Sequence, residues 1–410
     1  MGRHLNRTPS GKRQPRKTTP RTRAKPDANP IPFHRPYIGS AEIKAVEAVI
    51  RSGWLTMGPK TEEFERAFAQ YVHAEHAIAV NSCTAAMHLA LLVAGVGKGD
   101  EVITTVNTFC ATAEAIEYSG ARPVLVDVED DTLNLSPKAV AAKITERTRA
   151  IVPVDFAGHP CDYDAIRALA GRHKLHVLAD AAHSLSAHYR GVPVGTLADS
   201  TSFSFYVTKP LATGEGGMVT TDSEEWAEAL RVLRLHGMNR DAWKRYGNAM
   251  GWRYEVKVLG YKYNLTDVQA ALGCAQLRRQ ERLRTRRSEI AALYRECFAG
   301  VEELQLPAER PEVRHAWHLF VIRARDRQGA GLRDRVIQAL ADRGIGASVH
   351  FIPLHYHPYY AARCRARPGA FPVAERAHEA AVSLPIYPGM RASEVRRVAN
   401  TVKSALLHDA

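Results

Sequence analysis

Seven short apolar runs, spaced between helical patterns over residues 76–221, constrain the fold of this 410-residue chain more than any single residue does. They are His76–Val80, Glu101–Thr105, Pro123–Asp127, Ala150–Val154, His176–Asp180, Ser200–Phe205 and Met218–Thr221. Most are continuous and β-branched, not alternating, as suits strands covered on both faces. Helical patterns such as Ala85–Ala94 lie between them. The predicted architecture is therefore α/β, a mostly parallel central sheet with helices on both faces. Ligands in such sheets collect at the carboxyl ends of the strands.

The flanks fill in the organisation. Ser40–Ile50 opens on a capping serine and has apolar residues at helical spacing, and Lys60–Val72 repeats the pattern. From Thr266 a capped, charge-laced helix is expected to run to about Phe298. Trp317–Ile322, Leu332–Arg343 and Ala347–Phe351 suggest a smaller α/β unit. The expected division is a basic extension over 1–30, a large α/β domain over 31–260, and a long helix with a small C-terminal domain over 261–410.

Residues 1–28 carry nine Lys/Arg against one Asp, with almost nothing apolar, so this segment is expected to be disordered. Such an arm can bind polyanions, but a solvated extension is the simpler reading, and no nucleic-acid partner is expected. No apolar run approaches the ~20 residues of a membrane helix. No apolar h-region follows the basic start, so no secretory signal is expected. The six cysteines are scattered, with no Cys-x-x-Cys pair, which reads as reduced thiols in a cytoplasmic protein.

The chemistry gathers at two strand ends. Val177–His183 delivers Asp180 to the end of one run, and Lys209 stands just past the next. Pyridoxal 5'-phosphate needs this pair. The amine holds the cofactor as a Schiff base, and the carboxylate keeps a proton on the pyridine nitrogen so that the ring withdraws electrons. Asp180 is expected to be ionised, its pKa lowered by an adjacent pyridinium. A phosphate needs backbone N–H groups at a helix start plus a hydroxyl. Asn81–Ala86 offers these through Thr84 and Ala85, though the same turn also reads as a plain N-cap. Phe109 offers a flat face for stacking, or is a core aromatic. His183 reads either as a partner for a ring oxygen or as a buried structural histidine. Gly95–Gly99 follows a helix and precedes a strand, the wrong order for a nucleotide loop, so it reads as a turn.

From about Ile31 onward the chain resembles the nucleotide-sugar aminotransferases of the DegT/StrS type, members of the aspartate-aminotransferase-like pyridoxal-phosphate superfamily. The resemblance is carried by Ser52–Pro59, Asn81–Ala86, Thr108-Phe109, Asp180–His183, Ser204–Lys209, Gly214–Gly217, Gly260–Asp267, Val349-His350, Pro353–His355 and Leu384–Pro388. It implies the following roles. Lys209 binds the cofactor and shuttles the proton, Asp180 pairs with the pyridinium, and His183 lies near the ring hydroxyl. Ser204, Thr84 and Ala85 hold the phosphate. The Gly260–Asp267 segment reaches a neighbouring subunit, with Asn264 near that subunit's phosphate, in a homodimer with shared active sites. Trp54, Asp155 and His350 are expected near the substrate.

The resemblance implies L-glutamate as amino donor and a keto-sugar nucleotide as acceptor, a UDP- or dTDP-linked 4-keto-6-deoxy sugar. Members with histidine in place of the lysine act as sugar dehydratases, and Lys209 favours transamination over that alternative. A further alternative is a non-catalytic regulator sensing cofactor or sugar, with the basic arm on DNA. Cys83 stands where the family usually has glycine, and Asp155 where many members have histidine. His350–His357 is rich in imidazole but has no cysteine or carboxylate to complete a site, so no metal is expected.

Overall fold

The computed structural model describes residues 29–238, 254–324 and 331–407; the basic segment Met1–Ala28 lies outside the described residues. In chain order the strands are β1 (His76–Val80), β2 (Glu101–Thr105), β3 (Arg122–Val126), β4 (Thr148–Val152), β5 (His176–Asp180), β6 (His188–Tyr189), β7 (Val192–Pro193), β8 (Ser200–Ser204), β9 (Gly217–Thr221), β10 (Leu304–Gln305), β11 (Val313–Arg314), β12 (Phe320–Ala324) and β13 (Ala381–Leu384). Seven of them form the main sheet, in the order β1-β9-β8-β5-β4-β2-β3. All pairings from β8 across to β3 are parallel. Strand β9 runs antiparallel to both β8 and β1. The chain between β8 and β9, Phe205–Gly216, holds no crossover helix, so it returns antiparallel.

The seven apolar runs thus become the seven strands of one sheet. Strands β2, β8 and β9 are buried at every position, as strands covered on both faces must be. On one face Phe203 and Phe205 meet Phe68 and Phe64 at ring-centroid distances of 5.0 and 5.2 Å. Each such ring contributes roughly 1.5–3 kcal/mol by leaving water. This packing fixes the end of β8 and the start of the loop that carries Lys209.

The helix expected from Thr266 to about Phe298 is two helices, Asp267–Leu277 and Gln280–Cys297. The first opens on a capping box formed by Thr266 and Gln269. The break falls at Arg279, whose backbone leaves the helical region at φ −113° and ψ 3°. There the Arg279 side chain pairs with Glu42, and Gln280 turns inward to Ser186 at 2.9 Å. These tertiary contacts override a helical pattern that continues without interruption through both residues.

Strand β12 pairs antiparallel with β10 and β13 in a three-stranded sheet. Its core gathers Ile290, Tyr294, Phe320, Ile322, Val336, Val382 and Val398. Ile31 joins this C-terminal cluster and bridges to Ile345, so the first described residues pack against the far end of the chain. No helix among the described residues is long and apolar enough to cross a membrane.

Candidate active site

Asp180 is the last residue of β5, and its N–H is held by the Pro153 carbonyl at 2.8 Å. Its Oδ2 accepts a hydrogen bond from Thr112 Oγ1 at 2.8 Å, and its Oδ1 accepts one from the Ala182 N–H at 3.1 Å. Thr112 in turn lies 2.8 Å from Thr108 Oγ1. A hydroxyl has one hydrogen to give, so Thr108 donates to Thr112 while Thr112 donates to the carboxylate. Burial pushes the Asp180 pKa up; the Thr112 hydroxyl, the Ala182 N–H and the Lys209 charge oppose it. The lowered value expected from a facing pyridinium is thus outweighed, in the protein alone, by desolvation.

Lys209 stands on the loop after β8. Its N–H closes a turn onto the Tyr206 carbonyl at 2.9 Å, and the loop is tied at its neck by Thr213 N–H to Phe205 O at 2.9 Å. Burial lowers the Lys209 pKa, while Asp180 and Cys83 pull it back up. An amine with a depressed pKa is the form suited to nucleophilic attack on a carbonyl.

The helix Cys83–Val93 points its N-terminus at this region. Ser82 caps it, accepting the Ala85 N–H at 3.1 Å. Ala85, expected as an anion donor, therefore spends its amide on the cap, and it does not line the cavity. Gly217, the first residue of β9, sits hard against this turn. A Cβ there would fall 2.5 Å from the Ser82 carbonyl carbon and 2.7 Å from the Cys83 nitrogen, so only glycine fits.

These elements enclose a cavity of about 580 Å³. Thr84, Phe109, Asp180, His183, Ser204, Lys209 and His350 all line it. Phe109 is 62% exposed, with its ring free to lie against a flat ligand. Asn264, Trp54 and Asp155 are not on the wall. Asn264 bridges Val80 and donates to the Leu265 carbonyl at 3.3 Å, and Trp54 Nε1 donates to the Met57 carbonyl at 3.3 Å. Asp155 is fully buried, both its oxygens taken by neighbouring donors.

Four histidines belong to the cavity, only two of which, His183 and His350, were anticipated; the others are His34 and His318. His183 and His318 lie 4.4 Å apart between ring centroids. Burial holds both well below the ordinary histidine value, with the Lys209 charge adding to the effect. His34 and His350 are each pushed down to about 4, mainly by burial. All four rings are thus neutral at physiological pH. The signal for His318 was an imidazole entering an otherwise apolar run, Trp317–Ile322. A larger hollow of about 720 Å³ lies elsewhere, along the helix Pro59–Val72. No described residue on its wall is a lysine, and its Glu65 is paired with Arg234.

A half-buried lysine on the loop after β8 and a buried acid at the end of neighbouring β5, beside a helix N-terminus, define an α/β transferase of the pyridoxal-phosphate type. The chain belongs to the DegT/DnrJ/EryC1/StrS aminotransferase family, whose profile matches residues 36–403. The spore coat polysaccharide biosynthesis protein SpsC of Bacillus subtilis is 48% identical over 374 residues, covering 91% of this chain and 96% of its own. Among solved structures, the putative sugar aminotransferase Spr1654 of Streptococcus pneumoniae, in its PLP form, superposes with a TM-score of 0.86 at 34% identity, covering 92% of this chain and 99% of the other. PseC of Helicobacter pylori, an aminotransferase involved in the biosynthesis of pseudoaminic acid, gives a TM-score of 0.85 at 30% identity, covering 92% of this chain and 99% of its own.

Proposed function

We propose that this protein transfers an amino group from L-glutamate to a keto-sugar nucleotide, a UDP- or dTDP-linked 4-keto-6-deoxy sugar, with pyridoxal 5'-phosphate as its cofactor. The observation that carries the reading is that Lys209 and Asp180 share one cavity with a helix N-terminus. Those residues fit the cofactor. The start of the Cys83–Val93 helix, with the hydroxyls of Thr84 and Ser204 on the cavity wall, suits a phosphate. The carboxylate of Asp180 suits a protonated ring nitrogen, and Phe109 suits the ring face. The bound cofactor supplies an electron-withdrawing ring that makes the adjacent C–H acidic.

The side chains do the rest. Lys209 Nζ holds the cofactor and then carries a proton to and from the donor's α-carbon, a positioned transfer of the kind that contributes roughly 10²–10⁴-fold. Asp180 keeps the ring nitrogen protonated. His183 donates to the ring oxygen, and His350 lies on the substrate side. The Gly260–Asp267 segment, with Asn264, reaches the phosphate side of the neighbouring subunit's site in a homodimer, and Trp54 lies near the substrate. Exposed apolar side chains at Val256, Val258 and Leu259, the last 88% exposed, support covering of this segment by a second copy. The free cysteines support a reducing, cytoplasmic setting.

The test is incubation with pyridoxal phosphate, L-glutamate and a panel of 3-keto and 4-keto sugar nucleotides, with products read by mass. An amino sugar nucleotide and 2-oxoglutarate in equal amounts are expected. Loss of water from the sugar without nitrogen gain would instead mark a dehydratase.

A further inference from the structure

Asp155 follows β4 by three residues and is wholly buried, away from the cavity wall. Three donors converge on its carboxylate. Ser184 Oγ reaches Oδ2 at 2.7 Å, while the Cys161 N–H and the Tyr163 hydroxyl reach Oδ1 at 2.9 and 3.1 Å. No ion pair to it is present among the described residues. A carboxylate taken out of water without a cation costs several kcal/mol, so its position calls for a physical reason.

Each donor lies on chain that touches His183. Ser184 is the next residue along. Cys161 ends the turn 155–161, which contains Ala157, and Tyr163 opens the helix just beyond it; the Ala157 N–H donates to His183 Nδ1 at 3.2 Å. Ala157 has φ 59°, a left-handed conformation that costs a non-glycine residue about 1–2 kcal/mol. The strain is held by ties on both sides. The Asp155 N–H donates to the Asp180 carbonyl at 3.1 Å, and the Ala157 carbonyl accepts the Leu319 N–H at 3.1 Å. A neutral imidazole whose Nδ1 accepts must carry its hydrogen on Nε2. His183 is therefore a donor toward the cavity it lines.

We propose that Asp155 is a positioning residue: it anchors the 155–161 turn and Ser184 so that the Ala157 N–H holds His183 in the Nε2–H tautomer, a hydrogen-bond donor to whatever occupies the cavity. Asp155 thus acts through His183 without touching substrate. The catalytic consequence rests on the function proposed above; the tautomer does not.

Nitrogen–proton correlation spectra of protein labelled at histidine and freed of cofactor read the tautomer directly, with the His183 signal assigned by its loss in His183→Gln. Wild type should show one protonated Nε2 and one bare Nδ1. Asp155→Ala should mix the two tautomers and lower kcat on the order of tenfold while KM changes far less. Asp155→Asn keeps an acceptor toward Cys161 and Tyr163, and the Ser184 hydroxyl can turn to accept, so it should restore both. If Asp155→Ala does not fold, Ser184→Ala removes one donor only and should mix the tautomers in part. A single Nε2–H signal in the folded alanine variant, or in Ser184→Ala where Asp155→Ala does not fold, would overturn the proposal. Mixed tautomers with no aminated product from any sugar would sink the assigned function and leave Asp155 in its role.

Discussion

Thr112 donates its hydroxyl hydrogen to Asp180 Oδ2 at 2.8 Å, tying the helix Cys110–Tyr118 to the tip of β5. Thr112→Val keeps the shape and removes that donor. A hydrogen bond to a charged group contributes roughly 1.5–3 kcal/mol, so kcat/KM should fall about 10- to 100-fold with that energy lost from the transition state. Thr112→Ser should stay near wild type. Steady-state kinetics on the two variants, with equal cofactor loading, make the comparison.

Lys209→Ala removes the one lysine among the described residues on the cavity wall. Turnover should drop below detection. Borohydride treatment of the wild-type holoenzyme should leave a covalent mass gain at Lys209, and the variant chain should keep its unmodified mass. Residual turnover above one per cent of wild type would contradict the assignment of Lys209.

Much of this site was legible in the chain. Parallel interior strands demand unbroken apolar runs, so each of the seven runs from His76 to Thr221 could be read locally. Asp180 and Lys209 could be read because one ends a strand and the other stands just past the next. Other features depend on contacts far apart in sequence. His318 meets His183 only because the turn at Ala157 and Gly158 brings the two segments together. The helix break at Arg279 has no local mark, since Glu42 supplies its partner from the other end of the chain. Asp155 was expected beside substrate; its donors, Cys161, Tyr163 and Ser184, come together only once the turn has closed.

The charge on Asp155 should show in the pH dependence of stability. Burial pushes its pKa up to about 6 from an ordinary 3.8, against the Ser184, Cys161 and Tyr163 donors. A carboxyl raised on folding stabilises the native state below its unfolded value, and that stability is lost as pH climbs from about 4 to about 6. The loss is about 3 kcal/mol once both states are ionised. Asp155→Asn carries no such cost. Relative to wild type its stability should therefore rise by a few kcal/mol between pH 4 and pH 7.5, as followed by denaturant titration. A pH-independent difference would show that Asp155 keeps an ordinary pKa.

Gly217→Ala should disturb two sites at once. Its Cβ would meet the Ser82 carbonyl carbon at 2.5 Å, so backbone must shift. Overpacking of this kind costs typically about 1–3 kcal/mol. The melting temperature should fall, and cofactor affinity, read by absorbance titration, should weaken about tenfold or more. Gly97→Ala, at an open position where an added Cβ meets nothing within 4 Å, is the control and should change neither.

The seat of Gly217 on Ser82 has a wider consequence. The amine-bearing loop and the anion cradle are joined by main chain pressed on main chain, with no side chain between to swing or repack. A cofactor gripped at both ends is then held to a fixed gauge, and thermal breathing must shift its two anchor points in step. Substrate exchange in such an enzyme falls to the open wall, where the phenyl ring of residue 109 stands largely in solvent and can give way.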